Sequence, residues 1–207
     1  MFISFEGLDS SGKTTQANLL VNDLKSAGKE VVFLREPGGT EVSERIREIL
    51  LDKNQISFYQ KTELLLFSAA RAQLVHQVIC PALQGGKVVI CDRFHDSTTA
   101  YQGYGRGLDL GEVRALNRIA TSGVLPDVTF FIDVDLNEIR LRRHASLIAE
   151  DRMESGGDEF YRRVLDGYRA IAGDEPERVV TINGMRRMEE IHREIWAIVR
   201  QRFRNME

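Results

Sequence analysis

Cysteine is scarce in this chain: 207 residues contain two, Cys80 and Cys91, and no CxxC pairing. A disulfide framework or a zinc site is therefore excluded as an organising device, and two buried thiols in a reducing compartment are expected. The four histidines, His76, His95, His144 and His192, show no metal-ligand spacing. An excess of positive charge is also lacking. The formal net charge is -3, which argues against a nucleic-acid partner held by a basic surface. No apolar run approaches the ~20 residues of a membrane span. No signal peptide precedes the first structured motif, so a cytoplasmic protein without a membrane partner is expected. Repeats, low-complexity tracts and linkers are missing too, which favours a single domain over residues 1–207.

What is present is a soluble globular composition with 43% hydrophobic residues, enough for a sizeable core. Short β-branched runs, "MFISFEG", "EVVFLRE", "KVVICDR", "VTFFIDV" and "RVVTING", alternate with segments of helical period. The helical segments are Lys13–Ala27, Glu41–Leu51, Thr62–Gln84, Gly111–Ser122, Leu136–His144, Asp158–Ala172 and Arg187–Arg204. Continuous apolar runs of strand length read as strands covered on both faces. The alternation predicts an α/β fold, with five strands in a mostly parallel sheet flanked by helices. In such sheets ligands gather at the carboxyl ends of the strands. Glu6–Lys13, Arg35–Thr40, Asp92–Ser97, Asp133–Asp135 and Asn183–Gly184 are therefore expected to share one crevice.

The segment Gly7-Leu8-Asp9-Ser10-Ser11-Gly12-Lys13-Thr14 fits G-x-x-x-x-G-K-[ST], after a strand and before a helix. The glycines let backbone N–H groups curl around phosphate oxygens. Lys13 reaches the β- and γ-phosphates, and the Thr14 hydroxyl can ligate magnesium. The helix that follows points its positive end at the same anion. This is the signature of a nucleoside triphosphate site of the P-loop type. No guanine-reading NKxD is present, and "GYGRG" lacks both the spacing and the preceding strand of a dinucleotide loop.

A phosphoryl acceptor that is itself a phosphate needs cations to bring two anions into line. Arg35 in "REPGGT" and Arg93 in "CDRFHDS" each end a strand and suit a bidentate clamp, the bland alternative being a structural ion pair. Asp92 is placed as a strand-end acid for magnesium. Phe67 and Arg71 lie four apart on one helix face, where a ring and a guanidinium suit a nucleobase, although such a pair is also ordinary core plus surface. Asp9 is an acid inside an anion-binding loop. It is reasonable if it orders magnesium-bound water, an acceptor sugar or a phosphate-binding arginine; the alternative is a cap on loop N–H groups.

Taken together, "FEGLDSSGKTTQ", "REPGGT", "FSAARAQ", "DRFHDSTTAYQGYGRG" and "DRME" resemble the signature blocks of the thymidylate kinases, in family order over residues 2 to 154. The family belongs to the P-loop nucleoside monophosphate kinases and transfers the γ-phosphate of ATP to dTMP with magnesium. The resemblance implies a homodimer and a set of site residues. Phe67 would stack on thymine and Arg71 would hydrogen-bond its exocyclic oxygen. Thr98 and Gln102 would approach the base, and Tyr101 would pack under the sugar and favour deoxyribose. Arg35 and Arg93 would hold or flank the acceptor phosphate, with Asp9 between the two phosphate sites. The "REP" segment is expected to hold a cis peptide before Pro37.

Residues of about 142–157 are expected to form a lid over ATP. Ser10 and Ser11 occupy the slots where some thymidylate kinases carry a basic residue, so the resemblance is to the bacterial subtype with arginine in the lid. Arg143 and Arg152 are the candidates for the transition-state charge, with Arg142 expected on the helix surface. Two other readings keep the phosphate loop: a kinase for another nucleoside monophosphate, and a P-loop ATPase without a nucleotide acceptor.

Overall fold

The structure is a computed structural model that describes residues 1–52, 59–146 and 157–204. Among these residues five strands form one sheet in the order β2-β3-β1-β4-β5, every neighbouring pair parallel. The strands are β1 (Phe2–Glu6), β2 (Val31–Arg35), β3 (Val88–Asp92), β4 (Val128–Asp133) and β5 (Val179–Asn183). Burial follows position in the sheet. β1 and β3 are buried along their whole length, whereas the edge strands β2 and β5 are only partly covered. A continuous apolar run therefore marks a strand but not full cover: the edge strand β2, VVFLR, has such a run and is only partly buried.

The helices are α1 (Lys13–Ser26), α2 (Glu41–Leu51), α3 (Gln60–Leu74), α4 (Cys80–Gln84), α5 (His95–Thr98), α6 (Leu110–Thr121), α7 (Leu136–Ser146), α8 (Gly157–Asp174) and α9 (Met188–Arg204). Side chains cap several of them. Thr40 accepts from the Ser43 amide at α2, Asp109 from the Glu112 amide at α6, and Asp135 from the Glu138 amide at α7. One core cluster packs Leu20 and Val21 of α1, Phe160 and Val164 of α8 and Ile195 of α9 on the sheet. A second packs Phe2, Val89 and Cys91 against Leu74, Val75 and Ile79. Cys91 is buried as expected, but Cys80 is only half-buried.

The expected helix Thr62–Gln84 is present from Gln60 onward, with a π-helical stretch, Val75–Ile79, between α3 and α4. The wide turn runs up to Pro81, whose missing N–H and ring a regular α-turn does not accommodate. Gln60–Gln84 is long and apolar enough to cross a bilayer by those criteria alone. It is nevertheless built into the sheet's second core cluster, and it carries Glu63 and Arg71 buried.

Sequence period did not foresee a second helical run, α5 continued by a π-helical stretch over Thr99–Gly105. Its residues, TAYQGYG, include two glycines and a β-branched residue, which are poor helix formers. Packing makes up the deficit: a Cβ on Gly105 would stand 2.7 Å from Phe160 and Val164 of α8, so only glycine lets the two helices approach this closely.

Arg178, entering β5, forms a bidentate pair with Asp96 of α5 at 2.7 and 2.8 Å and also donates to Thr129 of β4. Asp96 is 2% exposed, so truncating its partner strands a buried charge. Arg178→Met is expected to lower the unfolding free energy at pH 7 by about 3–5 kcal/mol in urea titrations. A loss below about 1 kcal/mol, the range of a surface pair, would show that the pair is not buried in solution.

Candidate active site

The strand β1 ends at Glu6, and the chain turns at once into the phosphate loop. Gly7 has φ 140°, and a Cβ there would lie 2.8 Å from the Ile132 carbonyl oxygen, so the loop is wedged against β4. Gly12, at φ 97°, stands immediately before α1. Lys13 is buried and turned back over the loop, donating to the Leu8 carbonyl at 3.3 Å and to Asp9 at 3.1 Å. The Thr14 hydroxyl hydrogen-bonds Asp92 at the end of β3. The other Asp92 oxygen, Oδ1, is buried with no hydrogen-bond partner. A hydroxyl and a carboxylate with a spare oxygen suit a hard cation that shares its remaining positions with phosphates and water. Among the described residues no cluster of three or more His, Cys, Asp or Glu offers a larger protein cage.

Asp9 does not cap loop amides. Its Oδ1 accepts from Lys13 and, at 2.7 Å, from Arg93 Nη2. Burial works to raise the Asp9 carboxyl, but Arg93 and Lys13 outweigh it and hold the group well below the usual carboxylate range. Arg93 sits just past β3 at φ 74°, a left-handed backbone that turns its side chain towards the phosphate loop. Its Nη1 donates to Ser97 Oγ at 3.0 Å and Tyr168 Oη at 3.1 Å. Both hydroxyls reach Glu6, at 2.5 and 3.0 Å, and Glu6 also accepts the Phe94 amide at 2.7 Å. Burial, with the Asp96 charge added, pushes the Glu6 carboxyl up to about 7.

A cavity of about 290 Å³ opens beside this junction. Asp9, Arg35, Phe67, Arg71, Arg93, Thr98, Tyr101 and Gln102 all line it, so every residue expected on the acceptor side comes to one place. Lys13, Thr14 and Asp92 line its donor end. Arg35 is half-exposed and donates to the Pro37 carbonyl at 3.1 Å; Arg47 donates to the same oxygen at 2.9 Å, bringing a further cation that the sequence reading did not select. The Glu36–Pro37 peptide is cis, as expected. Arg71 is fully buried and ion-paired to Glu36 at 2.6 Å. Its Nη1 donates to Thr98 at 2.9 Å and, over its longest bond, to Asn117 at 3.3 Å. The Tyr101 hydroxyl stands 3.3 Å from Arg93 and 3.5 Å from Asp9.

Not every strand end joins this crevice. Asp133 is held by Arg169 on α8, Asp135 caps α7, and the Asn183 side chain accepts from the Met185 amide. Local pairing claims these groups first.

Arg142 departs from its expected surface position. Its guanidinium donates to the Ser11 carbonyl of the phosphate loop at 3.2 Å and to the Gly184 carbonyl after β5 at 2.9 Å. Arg143 lies over the Tyr161 ring at 4.7 Å. Arg152 and residues 147–156 of the expected lid lie outside the described residues. Sequence reasoning set Arg142 on the helix surface, put Glu6 and Ser97 in the strand-end crevice without giving either a role, and passed over Tyr168. Glu6 and Ser97 stood within quoted blocks, but Tyr168 comes from a helix 75 residues beyond Arg93 and carries no local signal.

Comparison with known proteins bears on this arrangement. The sequence model of the family described as thymidylate kinase matches residues 5–195. The chain is 50% identical to a thymidylate kinase of Chlorobaculum tepidum over 204 residues, 94% of each chain. It is 50% identical to that of Chlorobium luteolum over 212 residues, 99% of each. A crystal structure of thymidylate kinase from Ehrlichia chaffeensis superposes with a TM-score of 0.79 at 39% identity, over 97% of this chain and 98% of that one.

The buried carboxyl of Glu6 gives a signature in stability. Its folded pKa of about 7 lies above the ordinary 4.5, so the folded chain holds the proton more tightly. The resulting stabilisation is full below pH 4.5 and is lost as pH rises towards 7. Denaturant unfolding of the wild type and Glu6→Gln between pH 4.5 and 8 is expected to show the wild type losing ground across that window. A constant difference would rule out the raised pKa.

Proposed function

The chain belongs to the thymidylate kinase family, and on that premise we propose that it phosphorylates dTMP to dTDP with ATP at the cavity beside the phosphate loop. One observation carries the assignment of residues: Asp9 takes Lys13 from the donor loop and Arg93 from the acceptor side on the same oxygen, at 3.1 and 2.7 Å. Two anionic substrates can meet only where their cations are held together, and Asp9 spaces them.

In this reading the amides of Gly7–Thr14 and the Lys13 ammonium hold the triphosphate. Thr14 and Asp92 would hold magnesium, which would supply charge neutralisation for the triphosphate. Arg93, with Arg35 and Arg47 at the far end, presents the acceptor phosphate. An oxygen of dTMP forms a bond to the γ-phosphorus as the bond from that phosphorus to the β,γ-bridging oxygen breaks, and ADP leaves with the electron pair. The acceptor phosphate is already an anion, so no side chain need act as a strong base. Phe67 stacks on thymine, Arg71 and Thr98 face its polar edge, and Tyr101 fills the space beneath the sugar where a 2′-hydroxyl would lie. Arg142 braces the loop from behind, through Ser11 and Gly184. Arg143 and Arg152 are the candidates for stabilising charge in the transition state.

The homodimer that the family resemblance implies also belongs to this proposal. Val42 and Ile49 of α2 and Leu65 of α3 are exposed on adjacent helices and offer an apolar face for it. Sedimentation at micromolar concentration is expected to give a dimer; a monomer would overturn that part.

ADP release from ATP is expected with dTMP well above that with UMP, CMP, GMP or no acceptor, and to stop when magnesium is chelated. Turnover confined to the acceptor-free sample would mean an ATPase, and preference for CMP or GMP would move the substrate. Loss of a transition-state arginine costs roughly 10³–10⁵ in rate. A fall of less than tenfold in kcat for both Arg143→Ala and Arg152→Ala would remove the lid assignment.

A further inference from the structure

Glu63, Phe67 and Arg71 lie at intervals of four along α3 and so share one face. Phe67 and Arg71 line the cavity, but Glu63 stands behind it, 1% exposed, where an acidic side chain is costly unless it is bonded. Its Oε1 accepts from Gln102 Nε2 at 2.9 Å and from Arg106 Nε at 3.2 Å. Arg106 is itself packed over the Phe160 ring at 4.6 Å. A carboxylate facing a guanidinium offers acceptors only, so the amide branch that faces Glu63 must be the NH₂. The carbonyl oxygen of Gln102 diverges from that branch, and Gln102 lines the cavity.

We propose that Glu63 is a specificity-determining positioning residue: by taking the Gln102 amide nitrogen it fixes Gln102 Oε1 as the acceptor presented to the base. This rests on the thymidylate kinase reading and deepens it. Thymine carries a hydrogen-bond donor at N3 next to the acceptor O4. Cytosine carries an acceptor at N3 next to an amino group. An oxygen from Gln102 meets the thymine N–H and repels the cytosine lone pair, while the Arg71 guanidinium donates to O4 and repels the cytosine amino group. The two ends of the pocket thus read adjacent positions with opposite polarity. Without an acceptor-only partner behind it, the Gln102 amide could rotate by 180° and present NH₂ instead. A site that bonds a substrate N–H discriminates strongly because a mismatched base leaves buried polar groups unpaired.

Calorimetric dissociation constants for dTMP, dCMP and ATP test this on the full chain. In Glu63→Gln, whose amide can donate as well as accept, the preference for dTMP over dCMP is expected to fall at least about tenfold while ATP affinity is unchanged. Glu63→Asp still offers only acceptors, so the preference should fall less. In a Gln102→Ala background, Glu63→Gln should change the preference less than about twofold, because Glu63 acts through Gln102. An unmoved preference, equal falls in the Asp and Gln variants, or additive effects in the double variant would each overturn the proposal. Should Glu63→Gln fail to fold, Glu63→Asp alone and with Gln102→Ala carries the same comparison. A wild-type chain that does not bind dTMP would refute the thymidylate kinase reading instead, so the two failures are distinct.

Discussion

Two carboxylates share the Arg93 guanidinium, and the rest of the site is arranged around that sharing. Asp9 holds one nitrogen directly, and Glu6 holds the other through the hydroxyls of Ser97 and Tyr168. Both acids come from the end of β1, and the arginine comes from the end of β3. The junction therefore exists only because the parallel register sets Phe5 beside Asp92. A guanidinium placed there without partners would carry a heavy desolvation cost. With all its neighbours bonded, the same burial makes the arginine rigid. On the proposed function it would meet an incoming phosphate with little further ordering, which is how positioning contributes to phosphoryl transfer.

The Arg71 end of the cavity follows the same rule of paired polarity in a dry setting. Arg71 is tied to Glu36, and burial pushes the Glu36 carboxyl up against the pull of that arginine. Asn117 joins Arg71 to Thr99 and the His95 carbonyl, so the helix face that carries Phe67 and Arg71 is braced from α6. The polar groups here are fixed by one another, and the substrate has only to match the pattern.

Much of the fold was legible because apolar period is set by burial. β1, β3 and β4 are covered on both faces and read as short apolar, β-branched runs, and α2 and α7 begin where the helical period placed them, after the caps Thr40 and Asp135. The phosphate loop was legible because its glycines serve a local backbone need. Arg35, Arg93, Phe67, Arg71 and Asp9 were legible from strand ends, helix spacing and charge, Thr98, Tyr101 and Gln102 only through resemblance, and the structure gathers all of them around one cavity. What escaped was decided by tertiary contact. The π-helical stretch at Thr99–Gly105 runs against local propensity and is held by α8. Arg142 reaches the phosphate loop across 131 residues, so nothing near it in sequence separates it from an ordinary helix-surface arginine. Tyr168 packs among the core residues of α8, and only the position of its hydroxyl sets it apart.

The contact between α8 and the π-helical stretch interlocks from both sides. Gly105 has no room for a methyl beside Phe160 and Val164, and a Cβ on Gly167 would meet the Tyr104 ring at 2.7 Å. Arg163 adds two hydrogen bonds to the Gly105 carbonyl, at 3.1 and 2.9 Å. A surface with a glycine on each partner, each filled by the other's ring, behaves like a two-toothed key and admits one depth and one rotation. Along α8 the outward positions, such as Arg162 and Asp166, are exposed and stand clear of this lock. A designer who grafts a new segment between α7 and α8 would find the far anchor already set.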